Sequence, residues 1–131
     1  MYKIKKEFKM CCSHTLHNDC LDKNKNIKLF GKCNEKHGHN YNVWLCFKSK
    51  TLDKDTGMIL NFDEIKKTFK KYIDDVFDHQ DLNKIYHFKN KIPTAENMAR
   101  VFYDIMKEKI GDLYAVEVYE TDGAVGIYEE D

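Results

Sequence analysis

Two segments of the chain alternate with a period of two, and this pattern restricts the fold more than any other feature. In residues 2–16 and again in residues 37–48, one parity carries mainly apolar side chains and the histidines, and the other carries mainly polar ones. Such alternation is typical of a strand with one buried face. Residues 114–121 predict a third strand. Asp122-Gly123 predicts a hairpin turn into a fourth strand over 124–130.

Apolar residues at helical spacing predict two amphipathic helices between the second and third strands. Asn61 is placed to cap the first helix, with Glu64 at the third helical position as in a capping box. Thr94 is placed to cap the second helix, and Gly111 is placed to end it. Residues 17–33 have no clear periodicity and are rich in Asn, Asp and Lys, which predicts a long surface loop.

The predicted order of elements is strand, strand, helix, helix, strand, strand. It indicates an α+β fold in one domain, residues 1–131, with both helices on one face of a four-stranded, mainly antiparallel sheet. Parity assigns Trp44, Cys46, Tyr119 and Tyr128 to the other face. An apolar second face predicts assembly with further copies of the chain.

Charge and hydropathy disfavour several classes of protein. Lys plus Arg and Asp plus Glu number 22 each, so the basic surplus expected of proteins that bind nucleic acid or anionic membranes is missing. No apolar run approaches the ~20 residues that span a bilayer, and the N-terminus resembles no signal peptide. We therefore expect a cytoplasmic protein whose five cysteines are thiols.

Three histidines on the two N-terminal strands are candidate metal ligands. His37 and His39 lie two residues apart, so their side chains project from one face, and His14 has the parity of the buried set on the first strand. If the two strands pair, three imidazoles converge. Three nitrogens with an open fourth position are typical of catalytic zinc. The alternative is a chance His-Gly-His and a core histidine at position 14.

Cys33 and the pair Asp78-His79 are candidates for acid–base chemistry. Cys33 precedes His37 by four residues and is a fourth zinc ligand, a nucleophile or base near the metal, or an inert thiol. A thiol beside zinc loses its proton more readily, so it can act as a base. Asp78-His79 follows the first predicted helix. This pair either caps and solvates the helix end, or relays protons through His79 with Asp78 orienting it.

Glu120 is a carboxylate with the parity of the inward-facing residues Val116 and Val118. Burying a carboxylate is costly unless it is paired. Glu120 is therefore either a strand-end residue that reaches solvent or an acceptor for a ligand that presents several N–H groups.

Six segments carry a resemblance to a known family. In chain order they are MCCSHTL, LFGKCNEKHGHNYNV, TGMILNFDEIKK, DHQDLN, PTAENMA and VYETDGAVGIY. Together they resemble the 6-pyruvoyl-tetrahydropterin synthase family, which includes the bacterial 6-carboxytetrahydropterin synthases of queuosine biosynthesis. The resemblance covers nearly the whole chain.

The resemblance implies a fold, a site and an assembly. The fold is the tunnelling fold, or T-fold, whose sheets join into a β-barrel in trimers that stack as homohexamers, with active sites between subunits. The residues that match the family's functional positions are the zinc ligands His14, His37 and His39, the catalytic Cys33 with its relay partners Asp78 and His79, and the pterin-binding Glu120 with Thr94 and Glu96.

The resemblance also implies a reaction on 7,8-dihydroneopterin triphosphate. Zinc would acidify a substrate C–H, Cys33 would move protons, and triphosphate would leave. Three residues separate Cys33 from His37, a spacing typical of 6-carboxytetrahydropterin synthases, so we expect their reaction, which also releases acetaldehyde, with the 6-pyruvoyl reaction as the alternative. The LFGKCN and YETDGAVGIY segments instead resemble the 6-pyruvoyl branch. A folate-related branch uses a glutamate near this loop, but Glu35 is one position out of its register.

Two rival hypotheses follow from the same residues. One is a generic zinc hydrolase in which the three histidines hold a water and Cys33 is dispensable. The other is a zinc-stabilised module without activity, in which Cys33 closes a Cys-His₃ site.

Overall fold

The fold is a four-stranded sheet with two long helices packed on one face. The computed structural model describes all residues, 1–131. The elements are β1 (Tyr2–His14), α1 (Lys23–Phe30), β2 (His37–Ser49), α2 (Phe62–Phe69, continuing through a π-turn at Lys70–Asp74 and a last turn at Asp75–Phe77), α3 (Ala95–Lys107), β3 (Leu113–Thr121) and β4 (Ala124–Glu129). The strands lie in the order β1-β2-β3-β4, and each neighbouring pair is antiparallel. The predicted α+β class and antiparallel sheet are confirmed.

The hydrophobic core lies between the sheet and the helices α2 and α3. The apolar side chains on one face of α2 and of α3 pack against the alternate strand residues that point toward the helices. The largest fully buried side chains are Tyr41, Phe47, Phe69, Phe77, Phe102, Leu45, Ile65, Ile73, Leu82, Met98, Met106 and Leu113. No helix has the length and apolar character needed to cross a bilayer.

Both long helices begin at the predicted caps. The Asn61 side chain accepts a hydrogen bond from the Asp63 amide at 2.9 Å, and Thr94 Oγ1 accepts one from the Asn97 amide at 3.1 Å. No reciprocal bond from Glu64 completes a capping box at α2. The helix α3 ends at Lys107 rather than near Gly111. Lys107 Nζ donates to the carbonyls of Gly111 and Leu113 and so ties the end of the helix to the segment that leads into β3.

The prediction that residues 17–33 form only a loop is wrong, because this segment contains α1. The helix lacks an amphipathic stripe and depends on local polar contacts instead. Asp22 caps it by accepting from the Lys25 amide at 2.8 Å. The buried Asn26 amide donates to the carbonyls of Asn18, Leu21 and Asp22. Gly31 ends the helix with a φ of 56°. Hydrophobic periodicity does not detect a helix of this kind.

The face of the sheet that no helix covers, called the open face below, carries Trp44 as predicted. Tyr128, which was predicted for the same face, is instead on the helix-covered face. A bulge between Tyr119 and Thr121 shifts the β3–β4 register by one residue and places Tyr128 opposite Val116. Its ring packs 4.9 Å from that of Tyr103. A one-residue shift reverses every side chain of a strand.

Candidate metal centre and active site

Three histidines converge at the end of the β1–β2 pair, on the helix-covered face. His14 pairs directly with His37, and His39 lies opposite Cys12. The three rings meet at centroid separations of 4.5, 4.9 and 5.1 Å. One donor atom from each ring and one carboxylate oxygen of Glu120 all lie within 4.8 Å of one another. The strand pairing assumed for the sequence prediction is therefore present, and it brings the three predicted ligands together.

Hydrogen bonds at the outer nitrogens set the orientation of two of these rings. His14 Nδ1 lies 2.7 Å from the carbonyl of Pro93, and His37 Nδ1 lies 2.7 Å from the carbonyl of Glu35. A carbonyl can only accept, so both Nδ1 atoms carry the proton. The two Nε2 lone pairs then face each other across 2.9 Å. This contact is repulsive unless a proton or a cation lies between them, and such outer-nitrogen bonds are typical of metal-binding histidines.

Burial favours the neutral form of His14 and His39. Burial lowers the pKa of His14, against an opposing effect of its bond to Pro93, and burial also lowers the pKa of His39. Neutral imidazole is the form that binds metal. His39 Nε2 is buried and makes no hydrogen bond of good geometry, although Glu120 Oε1 lies 2.8 Å away. An unpartnered buried nitrogen is costly, and a bound cation would satisfy it.

Glu120 contacts the histidine cluster, which its strand parity alone does not predict. Its Oε1 is 2.8 Å from His39 Nε2 and 3.4 Å from His14 Nε2. Three nitrogens and one carboxylate oxygen form a donor set that suits a divalent ion such as zinc. The carboxylate is thus positioned either to complete this set or to accept N–H groups from a ligand beside it.

Tyr41 is a neighbour of the cluster that sequence reasoning did not select. Its hydroxyl lies 3.3 Å from His14 Nδ1, and its side chain is fully buried. Burial raises the pKa of Tyr41, with a further contribution from Glu120, so the phenol keeps its proton. Its shared parity with His37 and His39 is the one feature of the sequence that places it near the site.

Cys33 lies outside the histidine cluster, on an exposed turn between α1 and β2. The Leu16 amide donates to its carbonyl at 2.9 Å, and Asn34 Nδ2 donates to the carbonyl of Leu16 at 3.1 Å. These bonds hold the turn against the segment that follows His14. The fourth donor that the structure brings to the histidines is Glu120 rather than Cys33, which disfavours a closed Cys-His₃ site.

Asp78 and His79 form a hydrogen-bonded pair at the outer edge of β1. One oxygen of Asp78 accepts from the Cys11 amide at 2.8 Å, and the other lies 2.7 Å from His79 Nδ1. Burial alone would raise the pKa of Asp78, but these hydrogen bonds outweigh it and lower that pKa. His79 adopts a φ of 61°, and its side chain is 78% exposed. The pair therefore faces outward from an edge strand.

The segment containing Thr94 and Glu96 meets the metal centre through its backbone. The carbonyl of Pro93 holds His14, and the next residue, Thr94, caps α3. Glu96 is exposed in the first turn of that helix. A Cβ at Gly126 would lie 2.6 Å from the backbone of Ala95, so β4 packs directly on this helix start.

Comparisons with known proteins show that the chain is similar to the members of one enzyme family. A family model described as 6-pyruvoyl tetrahydropterin synthase matches residues 3–131. A 6-pyruvoyl tetrahydrobiopterin synthase of Homo sapiens is 34% identical, over 97% of this chain and 90% of that protein. A 6-carboxy-5,6,7,8-tetrahydropterin synthase of Rickettsia conorii is 30% identical, over 72% of this chain and 83% of that protein.

The fold of the chain is also similar to that of a solved structure. The 6-pyruvoyl tetrahydropterin synthase of Caenorhabditis elegans superposes with a TM-score of 0.92 at 28% identity, covering 99% of this chain and 96% of that one. The expected T-fold is confirmed by this neighbour. The relatives named here are pterin synthases, and such synthases are lyases. The chain belongs to the 6-pyruvoyl tetrahydropterin synthase family.

Proposed function

We propose that this enzyme converts 7,8-dihydroneopterin triphosphate to 6-pyruvoyl-tetrahydropterin by eliminating triphosphate, at a zinc ion held by His14, His37 and His39. The observation that carries the proposal is the convergence of three Nε2 atoms in a chain of this family. The same convergence would serve a generic zinc hydrolase, but family membership supports pterin chemistry instead.

We base the choice of product on the similar proteins rather than on the spacing between Cys33 and His37. The Homo sapiens relative and the Caenorhabditis elegans structure both have 6-pyruvoyl names and cover nearly the whole chain, whereas the 6-carboxy relative covers less of it. The sequence analysis favoured the 6-carboxy branch. That reaction stays the second candidate because three residues separate Cys33 from His37.

The residues around the site have distinct roles in this proposal. A bound zinc ion would supply Lewis acidity to substrate oxygens. Cys33 as a thiolate removes and returns protons at the substrate side chain. Asp78 holds His79 Nδ1 and leaves Nε2 free to exchange protons on the other side of the substrate. Glu120 accepts the N–H groups of the pterin, and the Thr94–Glu96 segment contributes to the same pocket.

Product analysis tests the proposed reaction. We expect purified, zinc-loaded protein to convert 7,8-dihydroneopterin triphosphate to 6-pyruvoyl-tetrahydropterin, with one tripolyphosphate released per turnover, as measured by mass spectrometry. Formation of 6-carboxytetrahydropterin with acetaldehyde would select the second candidate. No turnover by the zinc-loaded protein would contradict both.

Glu120→Gln is expected to weaken pterin binding while zinc stays bound. A carboxylate accepts two neighbouring N–H groups at once, whereas an amide presents a donor to one of them. Loss of one charge-assisted bond in a dry pocket lowers affinity by about 10- to 100-fold. Titration calorimetry with an unreactive pterin measures this, and Glu108→Gln at the exposed end of α3 is the control. Loss of zinc in Glu120→Gln would instead identify Glu120 as a fourth ligand.

The protein is expected to be a homohexamer with active sites shared between subunits. Asp78-His79 faces outward at the β1 edge, and the open face exposes Val125 and Ile127. Both features suit contact with another copy. Light scattering should give a mass of six chains at micromolar concentration. A stable monomer would contradict the assembly and the shared site.

A further inference from the structure

A cavity lies between residues 15–20 and residues 83–92, two segments that adjoin the metal ligand His14 and Pro93 in the chain. Its volume is about 580 Å³, within the range of small-molecule sites. Eleven residues line it, among them Thr15, His17, Lys89, Asn90, Lys91 and Ile92.

Two of its lining residues are direct chain neighbours of residues at the metal centre. Thr15 follows the ligand His14, and Ile92 precedes Pro93, whose carbonyl holds that ligand. The short chain from His14 to His17 also reaches the Cys33 turn, because Leu16 bonds to it and Asn34 Nδ2 lies 3.2 Å from His17 Nδ1. The segment that lines one side of the cavity is therefore tied both to the metal ligand His14 and to the Cys33 turn.

The cavity presents cationic groups with no partner in the chain. Lys89 and Lys91 are exposed, and neither side chain makes an ion pair or hydrogen bond; the side chain of Asn90 between them is equally free. The lining contains one carboxylate against these two lysines, that of Asp19, which lies 3.4 Å from His17 Nε2. Lysine is a common phosphate-binding residue because its ammonium group is a compact point charge.

We propose that this cavity binds the triphosphate group of the substrate, with Lys89 and Lys91 as its principal contacts. The inference rests on the proposed function for its substrate and adds the residues that hold the leaving group. Two cations beside the reacting centre neutralise the polyanion as it binds and as it departs. The asparagine amide supplies a neutral donor.

Inorganic tripolyphosphate is the direct probe of the site. Calorimetry at low salt should show that Lys89→Ala/Lys91→Ala binds it about 10-fold or more weakly than the wild type, since each lost charge-assisted contact weakens binding severalfold. The control is Lys66→Ala/Lys67→Ala, which removes two exposed lysines from α2 and should change affinity less than about twofold. Equal binding by the cavity variant and the wild type would overturn the site.

Kinetic measurements test the triphosphate cavity and the proposed reaction independently of each other. In the cavity variant, the KM for dihydroneopterin triphosphate should rise about 10-fold or more, while the affinity for an unphosphorylated pterin stays unchanged. Normal turnover with an unchanged KM would refute the cavity and leave the reaction standing. Lysine-dependent tripolyphosphate binding without any pterin turnover would refute the reaction and retain a polyphosphate site.

Discussion

His37→Ala and His39→Ala are each expected to lose most of the bound zinc and nearly all turnover. Each change removes one of three nitrogens that meet at the end of β1 and β2. Two remaining imidazoles do not make the three-ligand site that catalytic zinc requires. We expect metal analysis to fall from about one zinc per chain to less than about 0.2, because even loss of an outer contact costs 10- to 100-fold in affinity.

The folded state should survive this loss. The hydrophobic core lies between the sheet and the helices α2 and α3, and His37 and His39 are not among its members. The matched control is His79→Ala, which removes an exposed histidine outside the cluster and should keep its zinc while losing turnover. Full zinc retention in both His37→Ala and His39→Ala would show that the metal is bound elsewhere.

Cys33→Ala is expected to keep both the fold and the zinc while turnover falls by about 10²- to 10⁴-fold, the usual contribution of a positioned acid–base group. The thiol is exposed on its turn, so its removal leaves no buried cavity. The backbone bond from Leu16 to the Cys33 carbonyl is unaffected by the substitution. Zinc content and product formation are measured on the same sample.

The control for Cys33 is Lys54→Ala, which changes an exposed side chain in the turn after β2, outside both the metal centre and the cavity, and should leave turnover within about twofold, as for most surface changes. If Cys33→Ala loses zinc as completely as His39→Ala, then Cys33 is a metal ligand. If it keeps full activity, the generic hydrolase becomes the better hypothesis.

Some features of the site depend on positions that no local pattern specifies. The sequence placed Glu120 on the inward face but did not indicate that its carboxylate comes within 2.8 Å of His39. That contact depends on the register with which β3 pairs with β2, in which Asn42 lies opposite Tyr119. The cavity lined by Lys89 and Lys91 likewise forms only when residues 15–20 pack against the segment before α3.

The sequence by itself determined the four strands, the two core helices with their Asn61 and Thr94 caps, and the histidine cluster. Strand alternation, helical spacing and cap chemistry are properties of neighbouring residues, and the β1–β2 pairing then places His14 opposite His37. Only the tertiary structure decided the helix α1, the face occupied by Tyr128 and the outward position of Asp78-His79. These depend on the buried Asn26 amide, on a bulge and on an edge strand. The contacts of α1 are local but polar, the face of Tyr128 follows from a register shift of one residue, and Asp78 bonds to an amide that is distant along the chain. None of these three effects leaves a periodic apolar pattern in the sequence.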